Sequence, residues 1–158
     1  MCCTELNVVI SLKERLDGDL KDAMRNKDSI RRTVLRTIIS EIRNAEIAKQ
    51  EALDDEGIMV VITKQAQQRR DSIEAFKSAS RSDLVENESE ELKIISGYLP
   101  EQLSEDEISV VITEVISQVE AKGFSDMGKV MKEIMQRIRG RADGKAISAI
   151  VTSRLREM

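Results

Sequence analysis

Ser125–Ile147, SDMGKVMKEIMQRIRGRADGKAI, holds an amphipathic helix, a glycine-flanked turn and the start of a second helix. Met127, Val130, Met131, Ile134, Met135 and Ile138 recur at i, i+3, i+4, i+7, i+8 and i+11, an apolar stripe at helical spacing. Gly140-Arg141-Ala142-Asp143-Gly144-Lys145 interrupts the pattern, and Ile147, Ile150, Val151 and Leu155 resume it. Lys129, Lys132, Arg137, Arg139, Arg141 and Lys145 fall off the stripe or in the turn. From Ser125 to Arg156 there are eight basic residues and three acids, a local charge of +5 in a chain of net charge −4. That contrast is the strongest functional hint in the chain.

Upstream, Ser104-Glu105-Asp106-Glu107 has the form of a helix start, a capping box with acids at the positive end of the helix dipole. Ile108, Val111, Ile112, Val115, Ile116 and Val119 follow. Their β-branched content suits a strand, but a recurrence every three to four positions predicts a helix. Gly123 is expected to close it as a left-handed residue, with Phe124 making the contact that follows. Three short helices, about 104–122, 126–138 and 144–157, make a small bundle with Ser125 as an N-cap. The first is acidic outside, with Glu101, Glu105, Asp106, Glu107, Glu114 and Glu120 and no base before Lys122; the later two are basic. Such segregation gives the bundle an oriented field.

The lone proline, Pro100, pushes Leu99 out of the α region and marks the domain boundary. Before it lie four helical patterns. Ser11–Met24 places Leu12, Leu16, Leu20, Ala23 and Met24 on one face. Asp28 can cap a helix of about Ser29–Gln50 that buries Ile30, Val34, Leu35, Ile38, Ile42 and Ile47. Its arginines form a solvated face with i,i+4 acid partners, such as Arg32 with Asp28. Leu53–Gly57 reads as an acidic connector. Ile58–Ala79 carries Arg69 on its inward side, where an arginine needs a carboxylate or carbonyl. Asp83–Gly97 is acidic outside. The predicted fold is all-α: a flexible extension at 1–10, an N-terminal four-helix domain at 11–99 and a small three-helix bundle at 100–158.

Composition excludes several function classes. The chain of 158 residues has no histidine, so no Ser-His-Asp or Cys-His pair, histidine metal site or imidazole base exists. Cys2 and Cys3 are adjacent and neither frame a disulfide scaffold nor give zinc spacing. No nucleotide-binding glycine loop occurs, and no cofactor or metal is expected. Tyr98, Phe76 and Phe124 are the only rings, too few for a base-stacking platform. No apolar run is long enough for a bilayer, so no membrane partner is expected. A reduced, cytoplasmic setting is expected.

Three functional readings stay open. In the first, Lys129, Lys132, Arg137, Arg139, Arg141 and Lys145 contact phosphates, and Gly140 and Gly144 let backbone approach a sugar-phosphate chain. The partner is then folded RNA read by shape, without DNA sequence readout. In the second, Ser125 and Lys129, one turn apart, act as a nucleophile pair; an N-cap role explains Ser125 better, and no catalytic residue is assigned. In the third, Met127, Met131 and Met135 form an adaptable protein-docking surface.

DMGKVMKEIM (126–135) with GRADGK (140–145) resembles the hallmark of the GatB/YqeY family. So do YLPEQLS (98–104), RRDSIEAF (69–76) and LKERLDGDLKDAMRNKD (12–28), in order across roughly 11–158. Ser80 stands where the family has glycine, and Ser148 where asparagine is common. The resemblance implies a four-helix domain joined to a three-helix bundle similar to the tail of the B subunit of tRNA-dependent amidotransferase. That enzyme amidates Glu-tRNA(Gln) or Asp-tRNA(Asn), and its tail is implicated in gripping tRNA. The implied role is a tRNA-binding accessory module, with tRNA-charging or amidotransferase proteins as partners. The implied label, carbon–nitrogen ligase with glutamine as amide donor, belongs to a complex whose catalytic parts this chain lacks.

Overall fold

The computed structural model describes residues 10–158. The predicted extension, apart from Ile10, and both cysteines lie outside the described residues. Among these, the regular structure is seven α-helices and one 3-10 turn, without strands. The helices are α1 (Leu12–Arg25), α2 (Ser29–Lys49), α3 (Asp55–Ser78), α4 (Ser82–Ser96), α5 (Glu105–Gln118), α6 (Met127–Arg137) and α7 (Gly144–Arg156). The all-α class is the one the periodicity predicts. Two compact units divide between Ser96 and Gly97.

The first unit is α1 to α4. Ser11 caps α1 in a capping box with Glu14, and Asp28 caps α2 by accepting from Arg31 N at 3.0 Å. Asp54 accepts from Gly57 N at 2.8 Å, so α3 begins at Asp55 and the expected acidic connector is its cap and first turn. Carboxylates there face the positive end of the helix dipole, which favours helix over loop.

Leu16, Leu35, Ile38, Ile58, Ile62 and Ile95 are among the fully buried side chains of this unit. Ile47 is 74% exposed although the stripe reading buried it. It follows Ile42 by five residues, about 140° too far round the helix at roughly 100° per residue. Met24 and Ile30, at helix ends, are exposed as well. Arg31, rather than Arg32, makes the cross-helix pair, 3.5 Å from Asp19 of α1. The inward Arg69 of α3 finds the carboxylates its position demands, Glu88 at 3.2 Å and Glu91 at 2.9 Å on α4.

Four helices close on a left-handed residue that is not glycine: Lys27, Gln50, Ser80 and Glu120, all with φ between 51° and 56°. After α3, Ser80 N–H bonds Lys77 O at 3.1 Å and Arg81 N–H bonds Phe76 O at 2.9 Å, the paired bonds of a Schellman motif. After α5, Glu120 N–H bonds Ser117 O and Ala121 N–H bonds Ile116 O. Glu120 therefore holds the place expected for Gly123, and α5 stops at Gln118. Turning back there buries Ala121 in the core, which a helix continued to residue 122 would not do.

The second unit, α5 to α7, surrounds Ile108, Ile112, Val115, Val130, Ile134, Ile147, Val151 and Leu155. Met127 and Met131 pack against this core. The expected N-cap, Ser125, lies instead inside the 3-10 turn Phe124–Asp126 that leads into α6. Asp126 fixes that turn by accepting from Lys122 N at 3.0 Å.

Candidate interaction surface of the C-terminal unit

The turn between α6 and α7 is held from below by the strap that precedes α5. Gly140 is left-handed, with φ 75°, which its missing Cβ permits. Its carbonyl accepts the Gln102 side-chain amide at 2.8 Å. Leu103 N–H donates to Arg141 O at 2.7 Å, and Arg141 Nε donates to Glu101 O at 3.2 Å. The backbone that closely approaches the buried Gly140 is thus this unit's own residues 101–103. Gly144 starts α7 behind the cap Asp143, with open space where a Cβ would sit.

The six cations singled out in the sequence divide by what they touch. Arg137 turns to α5, where it bonds Gln118 and lies 3.8 Å from Glu114. Arg141 serves the strap. Lys129 is 77% exposed in its side chain and lies 3.7 Å from Asp126. Lys132, Arg139 and Lys145 are exposed. Arg154, outside that set, crosses from α7 to α5 and bonds Ser109 and Thr113. Arg137 borders Ile134 and Ile138 on the helical wheel, a position that flanks an interface, and this signal was available in the sequence.

Arginines from α6 and α7 thus grip the edges of α5. Between them, Asp106, Ser109, Val110, Thr113, Glu114, Ser117 and Gln118 form the open outer face of α5. Val110 is 57% exposed, a site residue the stripe reading passed over. Its signal was the run Val110-Val111-Ile112, one apolar residue more than a single helix face accommodates. At the head of α5, Glu107 accepts from the N–H and hydroxyl of Ser104 at 2.8 and 3.0 Å. Those bonds, with a smaller contribution from the Arg141 charge, hold its carboxyl below the ordinary value of 4.5.

Met135 is the exposed member of the methionine stripe, at 36%, so the stripe is mainly core. No helix among the described residues is long and apolar enough to cross a membrane.

Comparison with known proteins gives a family match over nearly the whole chain: the profile described as Yqey-like protein covers residues 13–155. Among curated proteins, the chain is similar to one named "Altered inheritance of mitochondria protein 41, mitochondrial" from Pyrenophora tritici-repentis. The two are 36% identical over 88% of this chain and 76% of that protein. Proteins of the same name from Candida glabrata (37% identical, 72% of this chain, 63% of that protein) and Saccharomyces cerevisiae strain YJM789 (36%, 78% and 68%) are similar too. The chain thus spans less than two thirds of the Candida protein.

These names correct two expectations. The relatives are named for the inheritance of mitochondria, not as tRNA-binding accessories of an amidotransferase, and that functional reading is withdrawn. They are also named as mitochondrial, which overturns the plain cytoplasmic assignment. The physical reason for the first error is that basic side chains on short helices carry charge without direction. Arg137, Arg141 and Arg154 meet groups of their own unit, which no linear charge count reveals.

Proposed function

This chain belongs to the YqeY-like family, and we propose that it serves in the inheritance of mitochondria as a protein-binding helical module within that organelle. The observation that carries the reading is the 36% identity to a mitochondrial relative of that name across 88% of this chain. The arrangement of the C-terminal unit supports a binding role. Its arginines fasten α5 at both edges and leave the outer face of that helix open. Preorganised helix faces suit protein docking, because little ordering entropy is lost on binding. We also propose that residues 100–158 share a fold with the amidotransferase tail, a likeness that brings neither amide transfer nor a tRNA role with it.

The test is rescue. The chain, expressed behind a mitochondrial leader in yeast lacking the similar Saccharomyces protein, is expected to restore mitochondrial inheritance. Correct import without rescue refutes the reading.

A further inference from the structure

Two contacts set α6 and α7 antiparallel and fix which of their sides meet. Thr152 Oγ1 donates to Met127 Sδ at 3.8 Å, and the Arg156 guanidinium lies over the Phe124 ring, 5.5 Å from its centre. Beside these contacts runs an outer seam. α6 gives it Gly128, Met131, Lys132 and Met135, at i, i+3, i+4 and i+7. α7 gives it Lys145, Ala149, Thr152 and Arg156, at i, i+4, i+7 and i+11. At roughly 100° per residue, Lys132 lies about 140° round α6 from Arg137, and Arg156 about 160° round α7 from Arg154. The seam is therefore the side away from α5, to which those two arginines bond. Its middle is low: Met131 and Thr152 are half-buried, and Gly128 has open space where a Cβ would sit. Apolar surface stands out at the two ends, where Phe124 is 50% exposed and Met135 is exposed as well. The exposed charges along the seam, Lys132, Lys145 and Arg156, are of one sign. The three acids between residues 125 and 156 serve elsewhere in the unit: Asp126 accepts from Lys122 N, Glu133 lies 3.5 Å from Arg137, and Asp143 accepts from Lys145 N.

We propose that the outer seam of α6 and α7 is the docking site for an acidic amphipathic helix of a partner protein. The seam between two packed helices is concave, and a third helix laid along it completes a four-helix bundle around the three that the chain supplies. Apolar side chains of the partner rest on Phe124 and Met135, about three helical turns apart. Its carboxylates meet Lys132 on one rim and Lys145 and Arg156 on the other. Charge of one sign on both rims steers such a ligand and fixes its register, while the apolar contacts give residence. This inference rests on the protein-binding reading above and names the contact side and the partner's chemistry.

The experiment uses the full chain and a fluorescein-labelled peptide of leucine, alanine and glutamate in amphipathic helical order, about five turns long, read by fluorescence anisotropy. The control peptide has the same composition in scrambled order. The helical peptide is expected to bind at least about ten times more tightly than the scrambled one, with affinity falling as salt rises. Lys132→Glu with Arg156→Glu, one change on each rim, is expected to weaken binding about tenfold or more. Both residues are exposed, so the helical circular dichroism is expected to persist. Phe124→Ser alone leaves every charge in place and is expected to weaken binding about threefold or more. Arg36→Glu with Arg43→Glu, the same charge change on the exposed side of α2, is expected to leave binding unchanged.

Equal binding of the two peptides, or an equal loss from the α2 reversal, overturns the proposal. So does displacement of the helical peptide by polyuridylic acid or by phosphatidylglycerol vesicles at equal concentration of negative charge, since a phosphate-bearing partner then takes the face. Rescue of inheritance by the wild type and equally by the Lys132→Glu, Arg156→Glu variant overturns this docking face while leaving the organelle role standing. Intact peptide binding without wild-type rescue overturns the organelle role instead.

Discussion

Gln102 donates its side-chain amide to the carbonyl of Gly140 at 2.8 Å, across 38 residues of sequence. With the Leu103–Arg141 backbone bond beside it, this contact ties the strap before α5 to the turn before α7. Gln102→Ala leaves the carbonyl of buried Gly140 without this donor. A loss of about 1 kcal/mol is expected, read as a lower urea midpoint with unchanged slope. Hydrogen exchange at the amides of Leu103 and Arg141 is expected to quicken. Unaltered exchange at both amides counts against a role for Gln102 in holding the turn.

Ser80 adopts φ 55° at the end of α3, a conformation that costs an L-residue about 1 kcal/mol and glycine almost nothing. Glycine adds entropy to the unfolded chain, which offsets part of the gain. Ser80→Gly is therefore expected to stabilise the first unit by roughly 0.5 kcal/mol, with the paired bonds to Lys77 and Phe76 kept. A destabilised variant contradicts the strain argument.

Arg69 lies between Glu88 and Glu91, and its Nε is buried without a hydrogen-bond partner. Arg69→Ala leaves two carboxylates facing each other at a helix interface. Because all three side chains keep about a fifth of their surface exposed, the expected loss is about 1–3 kcal/mol, below that of a fully buried pair. Replacing the three together by Met, Leu and Leu is expected to recover most of it. A triple variant no more stable than Arg69→Ala argues against uncompensated charge as the cause.

Glu107 is bound most strongly by Ser104 N–H, then by the Ser104 hydroxyl, and its carboxyl lies below the ordinary value of 4.5. A depressed carboxylate favours the folded state above its unfolded value, and that contribution is lost as pH falls through the lower folded one. Amide protection in the first turn of α5 is expected to hold from pH 7 to near 4.5 and to fall below it. Glu107→Gln is expected to lower protection at neutral pH and to flatten the acid response. An acid response as steep as the wild type's excludes Glu107 as its source.

The helices were legible because their signals are local. Apolar spacing in α2, α5 and α6, the capping box of Ser104 and the cap at Asp28 all act within one or two turns. The need of Arg69 for a carboxylate or carbonyl followed from its place on the stripe, and the structure supplies carboxylates. Helix ends were less legible. Lys27, Gln50, Ser80 and Glu120 take left-handed geometry without the glycine that advertises it. Ala121 fixes the end of α5 by entering a core built from distant residues.

What the sequence by itself determined is the all-α class, the approximate helix positions and the charge contrast between α5 and the helices after it. Tertiary structure alone decided what those charges do, because a side chain's reach depends on the helix packed beside it. It turned Arg137 and Arg154 onto α5, closed Gly140 against Gln102 and left Val110 facing outward.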